Sequence, residues 1–82
     1  MATESEIKSA IERVVNQYPT WTIGVTDNPT RRKSEHDNPL VWRDWNADTE
    51  TAARNIEKYF LDKGMKGGGG GAGRADYVYI FI

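Results

Sequence analysis

YVYIFI, residues 77–82, carries no charge, and its only polar atoms beyond the backbone are two phenolic hydroxyls. A strand with one face in water alternates polar and apolar residues. An unbroken apolar run implies burial on both faces. The segment is therefore expected inside a sheet, with helices covering it. Just before it, GGGGGAG (67–73) cannot hold regular structure cheaply, because glycine loses the most backbone freedom on ordering. That run reads as a flexible connector. It lacks the lysine and following Ser/Thr of a phosphate loop.

Working back along the chain, NADTETAARNIEKYFLDKG (46–64) reads as a helix capped by Asp48 or Thr49. Ala53, Ile56 and Phe60 form its core stripe, and Gly64 stops it. LVWRDW (40–45) and TWTIGVT (20–26) are rich in apolar, aromatic or β-branched residues and read as strands, the second with a glycine inside it. Between them DNPTRRKSEH (27–36) starts a short helix, with Asp27 or Asn28 as cap and Pro29 at its first position. A second DNP (37–39) ends it. Nearest the N-terminus, Thr3 and Glu6 form a capping box ahead of Ile7, Ile11, Val14, Val15 and Tyr18, an amphipathic helical stripe that stops before Pro19. The expected architecture is α+β: a single domain over 1–82, with a small three-stranded, largely antiparallel sheet flanked by three helices and the C-terminal strand central.

Composition narrows the chemistry. The 82 residues contain no cysteine, so disulfides and thiolate metal sites are excluded. MATESEIKSA (1–10) is charged where a signal peptide needs an apolar run, and no apolar stretch has bilayer-spanning length. A soluble cytoplasmic protein with no membrane partner is expected. A net charge of −1 argues against high-affinity coating of nucleic acid. A phosphate partner would need a local cluster: Arg31, Arg32 and Lys33, with Arg74 as a helper.

Arg32 and His36 stand one helical turn apart and so share a face. A guanidinium grips phosphate oxygens bidentately, and an imidazole moves protons near neutral pH. Plainer readings stand beside these. The basic run can be a solvated helix face, the histidine a helix-end cap, and Glu57 an intrahelical partner of Arg54. Tyr77 and Tyr79 share one strand face and by default are aromatics at the edge of the core; Trp21, Trp42 and Trp45 read as packing residues.

TIGVTDNPTRRKSEH (22–36) also resembles the YIG strand and following helix of the GIY-YIG endonucleases. Arg32 and His36 fall ten and fourteen residues after Thr22, which stands where that family has its tyrosine. LVWRDWNADTETAARNIEKYFLDKG (40–64) is similar to the family's third strand and glutamate helix, with Glu57 at the metal-binding position. A GIY-like strand is missing from the N-terminal side. YVYIF (77–81) resembles it at the other end, with Tyr79 at the position of the GIY tyrosine. The chain thus looks like a circularly permuted member, a rearrangement that compact domains tolerate.

The resemblance implies a metal-dependent endonuclease. Arg32, His36, Tyr79 and Thr22 would be catalytic, and Glu57 would hold Mg²⁺ or another divalent cation. Nucleic acid would be bound through Arg31, Arg32, Lys33 and Arg74. Thr22 departs from the pattern, because its hydroxyl cannot act as a phenol with a pKa near 10. Impaired catalysis follows from that departure. The alternative is a catalytically inactive α+β module that binds nucleic acid or protein.

Overall fold

The computed structural model describes residues 1–68 and 75–82. The expected connector therefore lies partly outside the described residues, and so does Arg74. The uncharged C-terminal segment forms strand β4, Tyr77–Phe81, and it is interior as its composition required. It pairs antiparallel with β1, Thr22–Thr26, on one side and with β2, Trp42–Asn46, on the other.

Among the described residues the sheet has four strands, in the order β2-β4-β1-β3, and this corrects the three-stranded expectation. The fourth strand, β3, is Lys66–Gly67, which runs parallel to the outer edge of β1. Glycine composition concealed it. The Lys66 and Gly68 N–H groups donate to the carbonyls of Trp21 and Ile23, so pairing to β1 overrides the entropic cost of ordering glycine.

Three α-helices among the described residues complete the α+β fold. Helix α1, Glu4–Val14, begins with the Thr3–Glu6 capping box and buries Ile7 and Ile11. Pro19 falls in a 3₁₀ turn, Tyr18–Thr20, that carries the chain into β1. Helix α2, Pro29–Glu35, is capped by the Asn28 side chain. It ends where Asp37 and Asn38 take φ values of 65° and 51°, the left-handed region that Asp and Asn enter more readily than most residues. Helix α3, Glu50–Asp62, is capped by Thr49 and buries Ala52, Ala53, Ile56 and Phe60. It closes in a Schellman motif: Met65 N–H donates to the Phe60 carbonyl and Gly64 N–H to the Leu61 carbonyl, with Gly64 at φ 110°. That stop aims the chain into β3.

Strand alternation separates two faces. Ile23, Val25, Val78 and Ile80 join the buried cluster with Ile7, Ile11, Ile56 and Phe60, so α1 and α3 cover this face. Full burial of each such side chain contributes about 1.5–3 kcal/mol. The opposite face carries the cross-strand partners Gly24, Tyr79 and Asp44, and α2 lies over it. Tyr79 is 0% exposed yet stands outside the apolar cluster. Among the described residues no helix is long and apolar enough to cross a membrane.

Gly24 sits directly opposite Tyr79, and a Cβ there would run into the phenol ring and its oxygen. Gly24→Ala is expected to cost about 1–3 kcal/mol through overpacking. Chemical denaturation checks this, and an unchanged midpoint would contradict it.

Candidate active site

Tyr79 places its hydroxyl where three chain segments converge. Arg32 Nε donates to it at 3.2 Å, His36 Nε2 lies 3.0 Å away, and the Gly68 carbonyl lies 3.3 Å away. A phenol oxygen accepts two hydrogen bonds and donates one. If His36 carries its proton on Nε2, the imidazole donates to Tyr79 and the phenol donates to Gly68. If Nε2 is bare, the phenol donates to His36. Both arrangements satisfy the oxygen, so a proton can change hands without a side chain moving.

Local structure explains the convergence. Arg32 and His36 project from the same side of α2, and the left-handed turn after His36 returns the chain toward β2. Gly68 is pinned through its N–H to Ile23. Its carbonyl is thereby held against the Arg32 guanidinium, where Nη2 donates at 2.6 Å. A side chain at Gly68 would collide with the Tyr79 hydroxyl, just as one at Gly24 would. Two glycines therefore make room for one phenol. Trp42 closes the remaining side, with its ring parallel to that of Tyr79 at a centroid distance of 4.7 Å. Its indole N–H is held by Asp44 at 2.7 Å. His36 also packs on the Phe81 ring at 4.7 Å.

Electrostatics follow from this enclosure. Burial, and then the neighbouring Arg32 charge, push the His36 pKa below its ordinary value, so the ring is neutral at pH 7. Burial raises the Tyr79 pKa, and the hydrogen bond and charge of Arg32 only partly oppose it. The phenol therefore stays protonated at neutral pH. Hydrogen bonds to Tyr79 and Glu35 raise the Arg32 pKa further, so this cation does not titrate.

The remaining candidates lie elsewhere. Thr22 is opposite Phe81 on β4 and Lys66 on β3, two cross-strand pairs along from the phenol, and Gly24 faces Tyr79 instead. Arg31 is exposed and held by Asp27 at 2.7 Å and by Glu35 at 3.8 Å. Lys33 is half-buried on the same helix. Glu57 stands on α3, which covers the opposite face, and no hydrogen bond joins it to Arg32, His36 or Tyr79. Its charge still acts on the phenol and adds to the rise of the Tyr79 pKa. Burial raises the Glu57 pKa, which the nearby Arg54 charge opposes.

The charge beside this half-buried carboxylate is that of Arg54. No cluster of three or more His, Cys, Asp or Glu residues is present among the described residues, so a metal here would rest on Glu57 alone. Mg²⁺ is commonly held in that way, with water and substrate phosphate filling its other positions.

Residues that shape the site without standing out as site residues in the sequence include Gly24, Gly68 and Glu35. Gly24 carried a signal, a glycine within a β-branched strand. Gly68 was hidden among identical neighbours, and Glu35 looked like an ordinary helix carboxylate. No family model matches the chain, and neither a curated protein nor a solved structure does.

The depressed His36 pKa makes two tests. The unfolded chain binds more protons than the folded one between the folded His36 pKa and about 6.5, so this group's contribution to stability declines as pH falls through that window. His36 is the only histidine, which makes its ring titration unambiguous by NMR. Its midpoint is expected below that of a free histidine, and Arg32→Gln should raise it by removing the neighbouring charge. A midpoint at or above the free value in the unsubstituted protein would contradict the enclosed geometry.

Proposed function

We propose that the α2 face acts on nucleic-acid phosphodiesters, as a nuclease-type domain resembling permuted GIY-YIG endonucleases. The carrying observation is the hydroxyl of Tyr79 between Arg32 and His36, at 3.2 and 3.0 Å. Phosphodiester hydrolysis needs a cation on the non-bridging oxygens, a path for the proton of the attacking water, and stabilisation of the leaving oxygen. Arg32 supplies a permanent cation. Its guanidinium is partly open to solvent and is oriented by the Tyr79 oxygen and the Gly68 carbonyl.

Neutral His36 is the proton acceptor. The water that attacks phosphorus gives its proton to this imidazole, while Tyr79, buried and with a raised pKa, stays protonated and orients the ring. The P–O bond to the leaving oxygen breaks as the new one forms, and the proton held by His36 is available to that oxygen. By the resemblance Glu57 would hold a divalent cation, but it stands on α3 over the other face of the sheet, so the step on the α2 face runs on Arg32 and His36 without it.

The 0% exposure of Tyr79 and the threonine at position 22 favour a second reading. In that reading the same face binds nucleic acid without cleaving it, and the phenol serves only to lock Arg32. Supercoiled plasmid with Mg²⁺ separates the two. Nicking that is lost in Arg32→Ala and His36→Ala, but kept in the exposed control Lys58→Ala, supports the enzyme. Salt-sensitive binding without nicking supports the inactive module.

A stability measurement tests the role of Glu57 independently. Its folded pKa is raised, so the ionised carboxylate is disfavoured in the fold above the ordinary carboxylate range. Glu57→Gln at pH 7 should therefore leave the thermal midpoint unchanged or raise it. A fall of several degrees would mark Glu57 as a structural ion-pair partner of Arg54.

A further inference from the structure

Each nitrogen of the Arg32 guanidinium already donates to a partner, which uses three of its five N–H groups. Nε donates to the Tyr79 hydroxyl, Nη2 to the Gly68 carbonyl at 2.6 Å, and Nη1 to Glu35 Oε1 at 3.0 Å. A phosphate that takes both terminal nitrogens therefore competes with the partner already held there. Tyr79 and Gly68 are buried and bonded to each other, so neither can leave without opening the sheet face. Glu35 is different. Its side chain is 47% exposed, and the pairing is an intrahelical surface ion pair of a kind that contributes little to stability.

The carboxylate also has the form of the ligand it would exclude. Its two oxygens are spread over two guanidinium groups, Oε1 toward Arg32 Nη1 and Oε2 toward Arg31 Nε at 3.8 Å. Two phosphate oxygens would bridge the same pair. Arg31 keeps a separate anchor, Asp27, at 2.7 Å, so it stays in place when Glu35 departs.

We propose that the phosphate subsite is the solvent-facing edge shared by Arg31 and Arg32, and that Glu35 is a resident anion which competes with the phosphate of a nucleic-acid strand for it. The inference rests on the reading of Arg32 as a phosphate ligand. Glu35 sets the threshold for occupancy: an isolated phosphate must displace it with two or three charged oxygens alone, whereas a strand brings further contacts. Affinity should accordingly favour a strand over the free ion.

The test is fluorescence anisotropy of a labelled single-stranded oligonucleotide in low salt, with four variants beside the unsubstituted protein: Glu35→Gln, Arg32→Gln, their double substitution and Asp62→Asn. Asp62 lies at the exposed end of α3 and makes the same change in net charge. Glu35→Gln is expected to tighten binding on the order of 3- to 10-fold, from lost competition plus lost repulsion of the phosphate. Asp62→Asn should change it less than about twofold, since a distant exposed charge is screened. The gain should vanish in the double substitution. Inorganic phosphate, followed through the His36 ring signals, should bind Glu35→Gln detectably at concentrations that leave the unsubstituted protein unaffected.

If Arg32→Gln weakens binding while Glu35→Gln leaves it unchanged or weaker, the competition is overturned and the phosphate-ligand reading stands. Equal tightening by Asp62→Asn overturns it as well, as a net-charge effect. If Arg32→Gln binds like the unsubstituted protein, the reading of Arg32 itself fails. Absence of binding by both the unsubstituted protein and Glu35→Gln overturns both. Thermal midpoints add a readout of opposite sign: a purely structural Glu35 would lose stability and gain no affinity.

Discussion

One hydroxyl group constrains this fold. The Tyr79 oxygen lies on the central strand, buried, and takes its partners from α2 and from the segment after β3. A buried phenol without partners would cost about 1–3 kcal/mol in lost hydration. Satisfying it fixes the position of α2 against the sheet, the orientation of Arg32 and the path of the chain at Gly68. Among the described residues no buried side-chain polar atom lacks a partner, so the network is closed rather than partly made. Closed polar networks rigidify what they join, and partly satisfied ones do not.

The two faces of the sheet accordingly do different things. The face toward α1 and α3 is apolar and supplies the burial that holds the domain together. The face toward α2 is built from aromatic rings, two glycines and a short helix whose charges largely pair among themselves. A short helix with no buried residue has little hydrophobic hold on a sheet. Its attachment depends instead on Arg32 and His36, so the residues proposed for chemistry are also those that dock the element carrying them. This coupling explains why Arg32, His36 and Tyr79 share one hydrogen-bond network.

Much of the architecture was legible from residue pattern. The uncharged run 77–82 placed its strand inside the sheet, the Thr3–Glu6 box started α1, and Gly64 marked the end of α3. Those signals are local, or depend only on burial. Strand β3 was not legible, because its order comes from β1 and not from its own residues. The N-terminal boundary of β2 was misjudged for a related reason: Leu40 and Val41 look β-like but are exposed, and pairing with β4 begins only at Trp42. At the site, the turn-spaced Arg32 and His36 could be read directly, whereas their meeting with Tyr79 depended on strand order. The cradle at Gly24 and Gly68 is invisible without coordinates, since what matters there is the side chain each position lacks.

The central claim is that the Tyr79 hydroxyl and the Arg32 guanidinium act as one unit, and a double-mutant cycle on folding stability measures that unit directly. Tyr79→Phe, Arg32→Gln and the pair together, followed by urea denaturation at pH 7, are expected to give a coupling energy of about 1–2 kcal/mol, in keeping with a largely buried, charge-assisted hydrogen bond. Losses that simply add, to within about 0.3–0.5 kcal/mol, would show that phenol and guanidinium are held independently. The network described here would then not be what fixes α2 to the sheet.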